Sequence, residues 1–274
     1  MEFEKAMMLV REKKPLVQCI TNVVTVNDCA NIILASGGSP TMASHPLEVE
    51  EAVEGVQALV CNMGAIDKID SMILAGKAAN RLGKPVVLDP VGAGGTQLRR
   101  EAVKRLLEEV RFTAIRGNAS EIRYLAGHKC TGSGVDVSNL DEITEEKLDA
   151  AVAMAEELAE KLHTVIAISG KIDVVSDGKR SCVLRNGCAT MARITGSGCM
   201  LTALIGAFCG ACEDSFFAAC SAMAAMGISG EIAEAKRLRN GTGNATFRND
   251  LIDAVFNLTE EGLRQGVRYE IYKR

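Results

Sequence analysis

A chain of 274 residues with a net charge of −4, 47% apolar and 24% charged, has the make-up of an enzyme-sized globular protein. It is unlike a disordered, collagenous or coiled-coil chain, and at this length roughly 70–75% of the unfolded surface is buried without disulfide or metal staples. Scattered Lys and Arg, seven Phe, three Tyr and no Trp give neither a basic stripe nor stacking platforms, which argues against a nucleic-acid partner.

The first residues, MEFEKAMMLVREKK, alternate acids and bases along an amphipathic pattern and lack the apolar centre of a signal peptide. The expectation is a cytoplasmic protein. PLVQCIT (15–21) reads as a strand. VNDCANIILASGG (26–38) reads as a helix with Asn27 or Asp28 near its start and Gly37-Gly38 at its end. A second strand is predicted over 58–63 and a helix over 69–83. PVVLDP (85–90) is the clearest strand, followed by an amphipathic helix over 94–110. FTAIRGN (112–118) is a strand leaving into a turn, and the acid-rich 143–162 stretch is a solvated helix feeding a strand at 164–169. In 173–184 the Asp177-Gly178 pair predicts a hairpin, and from 197 onward the pattern is nearly all helical.

Continuous apolar strands separated by helices predict an α/β fold with a central, mostly parallel β-sheet flanked by helices on both faces. No linker, low-complexity tract or repeat divides the chain, so a single domain over 1–274 is expected. The closest approach to a membrane span, 199–212, is too short. The ten cysteines, Cys209-x-x-Cys212 included, read as reduced core fillers. His45, His128 and His163 lie in no motif that would aim them at a cysteine.

In parallel sheets, ligands bind beyond the carboxyl ends of the strands. TGSGCMLTALIGAF (195–208) puts Gly196, Ser197 and Gly198 at the start of a helix, where free amides and the positive dipole end suit an anion. Cys199 falls in the first turn, where a lowered thiol pKa is expected. A glycine-capped buried helix with a packing cysteine explains the same residues. Asp89 ends an apolar strand before PVGAGG, and Glu121 closes NASE (118–121). Both would face the same edge, where carboxylates hold hydrated Mg²⁺ against phosphates; equally, Asn118 and Glu121 could form a helix-capping pair. VGAGG is neither a Walker loop nor a dinucleotide fingerprint.

The segments 20–43, VVLDPVGAG (86–94), IRGNASEI (115–122), ISG (168–170), TGSGCML (195–201) and GTGNATFRNDLIDAVF (241–256) together resemble the hydroxyethylthiazole kinases of the ribokinase-like superfamily. The resemblance implies a ribokinase-like fold and phosphorylation of the hydroxyl of 4-methyl-5-(2-hydroxyethyl)thiazole, with ATP as co-substrate and Mg²⁺ as cofactor. It implies an anion hole at Gly196, Ser197 and Gly198, Cys199 as the base in place of the superfamily's aspartate, and Asp89 and Glu121 as magnesium-side acids. Arg116 and Ser169 fall on ATP-side positions; Asn22, Met42 and Gly196 fall on the substrate side. It further implies a homotrimer with active sites between subunits. Two rivals stand beside this reading. One is a kinase of the pyridoxal or hydroxymethylpyrimidine alcohol, and the other is a nucleotide-dependent dehydratase or binding protein of related fold.

Overall fold

The computed structural model describes residues 2–127 and 143–273, so His128 and Cys130 lie outside the described residues. Helix α1 (Phe3–Lys13) leads into β1 (Leu16–Ile20), α2 (Val26–Ser36), β2 (Ser39–Thr41), α3 (Val49–Gly55) and β3 (Ala58–Asn62). Then follow α4 (Ile69–Arg81), β4 (Val86–Asp89), α5 (Gln97–Glu109), β5 (Ala114–Asn118) and α6 (Ala119–Leu125). After α7 (Leu148–Leu162) come β6 (Val165–Ser169), β7 (Asp173–Ser176), β8 (Arg180–Leu184) and α8 (Ser197–Ala211). The chain closes with α9 (Ser215–Asn240), α10 (Asn244–Asn257), α11 (Glu260–Gly266) and β9 (Tyr269–Lys273).

One nine-stranded sheet runs in the order β2-β1-β3-β4-β5-β6-β7-β8-β9. The strands from β2 to β6 are mutually parallel, and β7, β8 and β9 join antiparallel. The expected hairpin turns at Gly178, which takes φ +86°. Parallel strands are buried on both faces, and successive residues feed opposite cores. Val60 and Val87 pack with α8 and α9, whereas Leu59, Cys61, Val86 and Leu88 pack with α4 and α5. Helix α8 lies close on the sheet because Gly206 has no side chain: a Cβ there would stand 2.4 Å from Val60 Cγ2. Cys209 and Cys212 are buried in the same core, as packing residues.

The structure adds elements that the periodicity does not announce. Strand β2, helix α3 and the terminal strand β9 are short, and β9 breaks the expected run of helices by covering the open edge of β8. Helix α2 follows Thr25, so Asn27 and Asp28 lie near its start as expected, with Asp28 buried within the first turn. Helix α9 is long and apolar enough to cross a membrane by length and composition, unlike anything expected from the sequence; most of its apolar stretch is buried inside the protein.

Candidate active site

Four adjacent parallel strands end on one edge with polar residues. Asn22 follows β1, Asn62 ends β3, Asp89 ends β4 and Asn118 ends β5, with Asn62 beside Asp89 in register. Ser169 ends β6 beside Asn118. The N-terminus of α8 faces this row. Gly196 precedes the helix at φ +84°, and a Cβ on it would stand 2.5 Å from Thr25 Cγ2, so glycine is required twice over. The first ladder bond runs from the Met200 N–H to the Gly196 carbonyl, and α8 has no side-chain cap. The amides of Ser197, Gly198 and Cys199 therefore lack partners within the helix.

Asp89 is 1% exposed and is held by its Oδ2, which accepts from Thr202 Oγ1 at 2.8 Å and Asn62 Nδ2 at 3.0 Å. Arg116 Nη1 stands 3.6 Å from the same oxygen, and its Nη2 donates to Ser169 Oγ. Asp89 Oδ1 and Arg116 Nε are both buried without a hydrogen-bond partner. An unpaired acceptor and an unpaired donor on neighbouring strands invite a cation and an anion. The guanidinium lies against the backbone of Gly198.

Of the two readings of Asn118 and Glu121, the structure shows the capping pair. Asn118 Oδ1 accepts the Glu121 N–H and Glu121 Oε2 accepts the Asn118 N–H, each at 2.8 Å, forming a capping box. Glu121 Oε1 also accepts the Gly92 N–H at 2.9 Å, which ties the VGAGG turn to α6. The carboxylate is thereby brought close enough for Asp89 to perturb it.

Burial, and then the Asp89 charge, pushes Glu121 up to about 7, and burial pushes Asp173, near Arg116, to about 7 as well. Burial raises Asp89, against Arg116, Thr202 and Asn62. Free carboxyls in an unfolded chain titrate near 4.5 and 3.8. The folded protein therefore keeps protons that the unfolded chain has released, and stability falls as pH rises through that window towards about 7. The urea midpoint of the metal- and nucleotide-free protein is expected to drop between about pH 5 and about pH 8. Glu121→Gln and Asp173→Asn should each flatten that slope; an unchanged slope in both contradicts the assignment.

Cys199 corrects the expectation of a lowered thiol. Burial and the charge of Asp89 push it up, and hydrogen bonds from Thr25 and Asn62 with the charge of Arg116 do not overcome them. The helix start is present, but the thiol sits part-buried beside a carboxylate. Asn22 Nδ2 donates to Cys199 Sγ at 3.5 Å, so Asn22, Asn62, Asp89, Arg116, Ser169, Gly196, Ser197, Gly198, Cys199 and the Glu121 carboxylate form one neighbourhood. Met42 follows β2 at the same sheet edge and, like Cys199, packs against the α8-side core. Asn62, Thr202 and Thr25 were not singled out by sequence reasoning. His45 caps its own turn through Leu47, and His163 ends α7 in the left-handed region, away from Cys199.

Comparison with known proteins places the chain by family and fold. The hydroxyethylthiazole kinase family model matches residues 7–261. The hydroxyethylthiazole kinase of Clostridium beijerinckii is 50% identical over 252 residues, covering 91% of this chain and 90% of the relative. The solved structure of a hydroxyethylthiazole kinase protein from Pyrococcus horikoshii OT3 is 34% identical, with a TM-score of 0.87 and 99% of each chain covered. A pyridoxal kinase from Bacillus subtilis, solved as an ADP complex, is 17% identical with a TM-score of 0.58 over 78% of this chain and 90% of its own. That second likeness shows the fold alone, an α/β arrangement with a mostly parallel sheet as the strand pattern predicts. With the family model across most of its length and half its residues shared with a relative, the chain belongs to the hydroxyethylthiazole kinase family.

Proposed function

We propose that this kinase moves the γ-phosphoryl group of ATP to the primary hydroxyl of 4-methyl-5-(2-hydroxyethyl)thiazole, at the edge where α8 meets β1, β3, β4 and β5. The observation that carries the reading is the buried pair of unpaired atoms, Asp89 Oδ1 and Arg116 Nε, beside the free amides of α8. Phosphoryl transfer asks mainly for positioning and charge neutralisation, with a group to take the alcohol proton. Arg116, steadied by Ser169, meets the ATP phosphates, and its planar fork suits paired phosphate oxygens. The Ser197, Gly198 and Cys199 amides receive the charge that develops on the transferring group. Asn22 and Met42 contact the thiazole alcohol, and Gly196 lies beside it.

Asp89 and Glu121 fit a magnesium ion held largely through phosphate oxygens and water. Asp89 keeps one oxygen free, whereas both oxygens of Glu121 already accept backbone N–H groups. No cluster of three or more His, Cys, Asp or Glu side chains among the described residues is placed to hold an ion unaided. A magnesium ion held by Asp89 and, through water, by Glu121 would supply neutralisation of the phosphate charge. A loose transition state develops little demand for a base early, so the alcohol proton leaves late; Cys199, whose thiol is pushed up by burial, takes that proton only as the thiolate, after its own proton has passed to solvent.

Residues 1–274 act as one cytoplasmic domain in thiamine biosynthesis, assembled as a homotrimer that completes the site between subunits. The side chains of Val23 and Val24, directly after Asn22, are 90% and 67% exposed, an apolar rim that a neighbouring subunit would cover. The test is ADP release from ATP with the thiazole alcohol supplied. Turnover should appear with Mg²⁺, stop on chelation and return when Mg²⁺ is restored; absence of ADP with the alcohol present overturns the reading, and turnover indifferent to chelation removes the magnesium.

A further inference from the structure

Besides holding Asp89 and hydrogen-bonding the Cys199 thiol, Asn62 touches both ends of the site through its amide. It ends β3 at 1% exposure. Backbone decides which way the amide faces: the Gly64 N–H donates at 2.8 Å to the atom that must therefore be Oδ1. Nδ2 then donates to Asp89 Oδ2 at 3.0 Å. The second place on Oδ1 receives Asn22 Nδ2 at 3.2 Å. Asn22 is oriented in turn by another stretch of backbone. The Val24 and Thr25 amides and the Thr25 hydroxyl donate to its Oδ1 at 3.1, 3.2 and 3.1 Å. With its oxygen filled, Asn22 has only N–H to offer, and Nδ2 faces both Asn62 and Cys199 Sγ.

We propose that Asn62 is a positioning residue: its two amide ends hold the Asn22 donor and the Asp89 carboxylate in one fixed relation, so that the alcohol end and the phosphate end of the site are set together. The inference rests on the reading of Asn22 as the alcohol contact and Asp89 as the cation-side acid. It also assigns the polarity of the alcohol contact. Asn22 takes a hydrogen-bond acceptor, a ring nitrogen or the hydroxyl oxygen, and the hydroxyl proton must leave towards a different group.

Gly64 allows a test that leaves every polar group in place. A Cβ there would stand 2.7 Å from Asn62 Oδ1 and 2.8 Å from Asn22 Nδ2, and the residue does not have a positive φ. Gly64→Ala should part the two amides without straining the backbone. Calorimetric titration of nucleotide-free protein with the thiazole alcohol should show binding about tenfold weaker, the loss of one well-placed hydrogen bond. KM for the alcohol should rise by a similar factor, while KM for ATP and the thermal midpoint hold. Asn62→Asp, which sets a second carboxylate against Asp89, should lower kcat by about 100-fold or more. Asn22→Ala in the same titration separates the outcomes. If it binds the alcohol like wild type, the reading of Asn22 fails and the inference with it. If it weakens binding while Gly64→Ala stays within twofold of wild type in both Kd and KM, the role of Asn62 alone is overturned. Should Asn62→Asp not fold, Gly64→Ala decides the matter by itself.

Discussion

Replacing Gly198 by alanine is expected to lower kcat/KM by about 10³ or more while the protein stays folded. The added Cβ would stand 2.4 Å from Arg116 Nη1, 2.9 Å from Nη2 and 3.0 Å from Cζ. Helix geometry does not resist the change, since alanine is the best helix former and Gly198 takes no positive φ. The guanidinium must therefore give way. It is already pinned by Ser169 on one side and by the approach to Asp89 on the other, so it leaves the position from which, on the proposed function, it would meet a phosphate. Losing one preorganised donor typically costs about 10²–10³, and here the displaced arginine and the adjoining amide surface are disturbed together. Steady-state kinetics with a thermal midpoint within a few degrees of wild type checks this. Near-normal turnover in the folded variant would remove the anion hole from α8 and the phosphate role from Arg116.

Asp89→Asn is expected to separate activity from stability. Turnover should fall by about 10³, equivalent to about 4 kcal/mol of transition-state stabilisation, because on the proposed function the unpartnered Oδ1 supplies the charge for the magnesium. The fold should not suffer. All close donors, from Thr202, Asn62 and Arg116, converge on Oδ2, which an amide oxygen replaces. Burial already raises the pKa of this carboxyl, so the neutral group is the less costly one in the metal-free protein. The thermal midpoint without ligands should equal or exceed that of wild type, and its rise on adding Mg²⁺ and ATP should shrink. A variant that keeps wild-type turnover shows that Asp89 does not hold the cation.

What sequence reasoning reached, and what it did not, follows from the range of the interactions. Strands β4 and β6 are uninterrupted apolar runs, and Asp89 stands out because an acid ends one of them. Gly196 and Gly198 stand out because glycines open an apolar helix. Both are local patterns. Thr202 and Asp89 are far apart in the chain, and Asn62 looks like the last residue of a strand until β4 is laid beside it. Nothing local ties them to the site. The Cys199 thiol was misjudged for the same reason: a helix start is legible in sequence, whereas burial beside Asp89 is a property of packing. Strand β9 was passed over although Tyr269 and Ile271 alternate with polar neighbours, because a short terminal run carries little signal without the open edge of β8 that receives it.

The central claim is that the phosphoryl group goes to the thiazole alcohol in particular. The most direct measurement offers equal concentrations of the thiazole alcohol, the hydroxymethylpyrimidine alcohol and pyridoxal with ATP and Mg²⁺, and identifies the phosphorylated product by ³¹P NMR. The predicted result is the thiazole monophosphate as the main product, formed in step with ADP. Phosphate found instead on pyridoxal or on the pyrimidine would contradict the account.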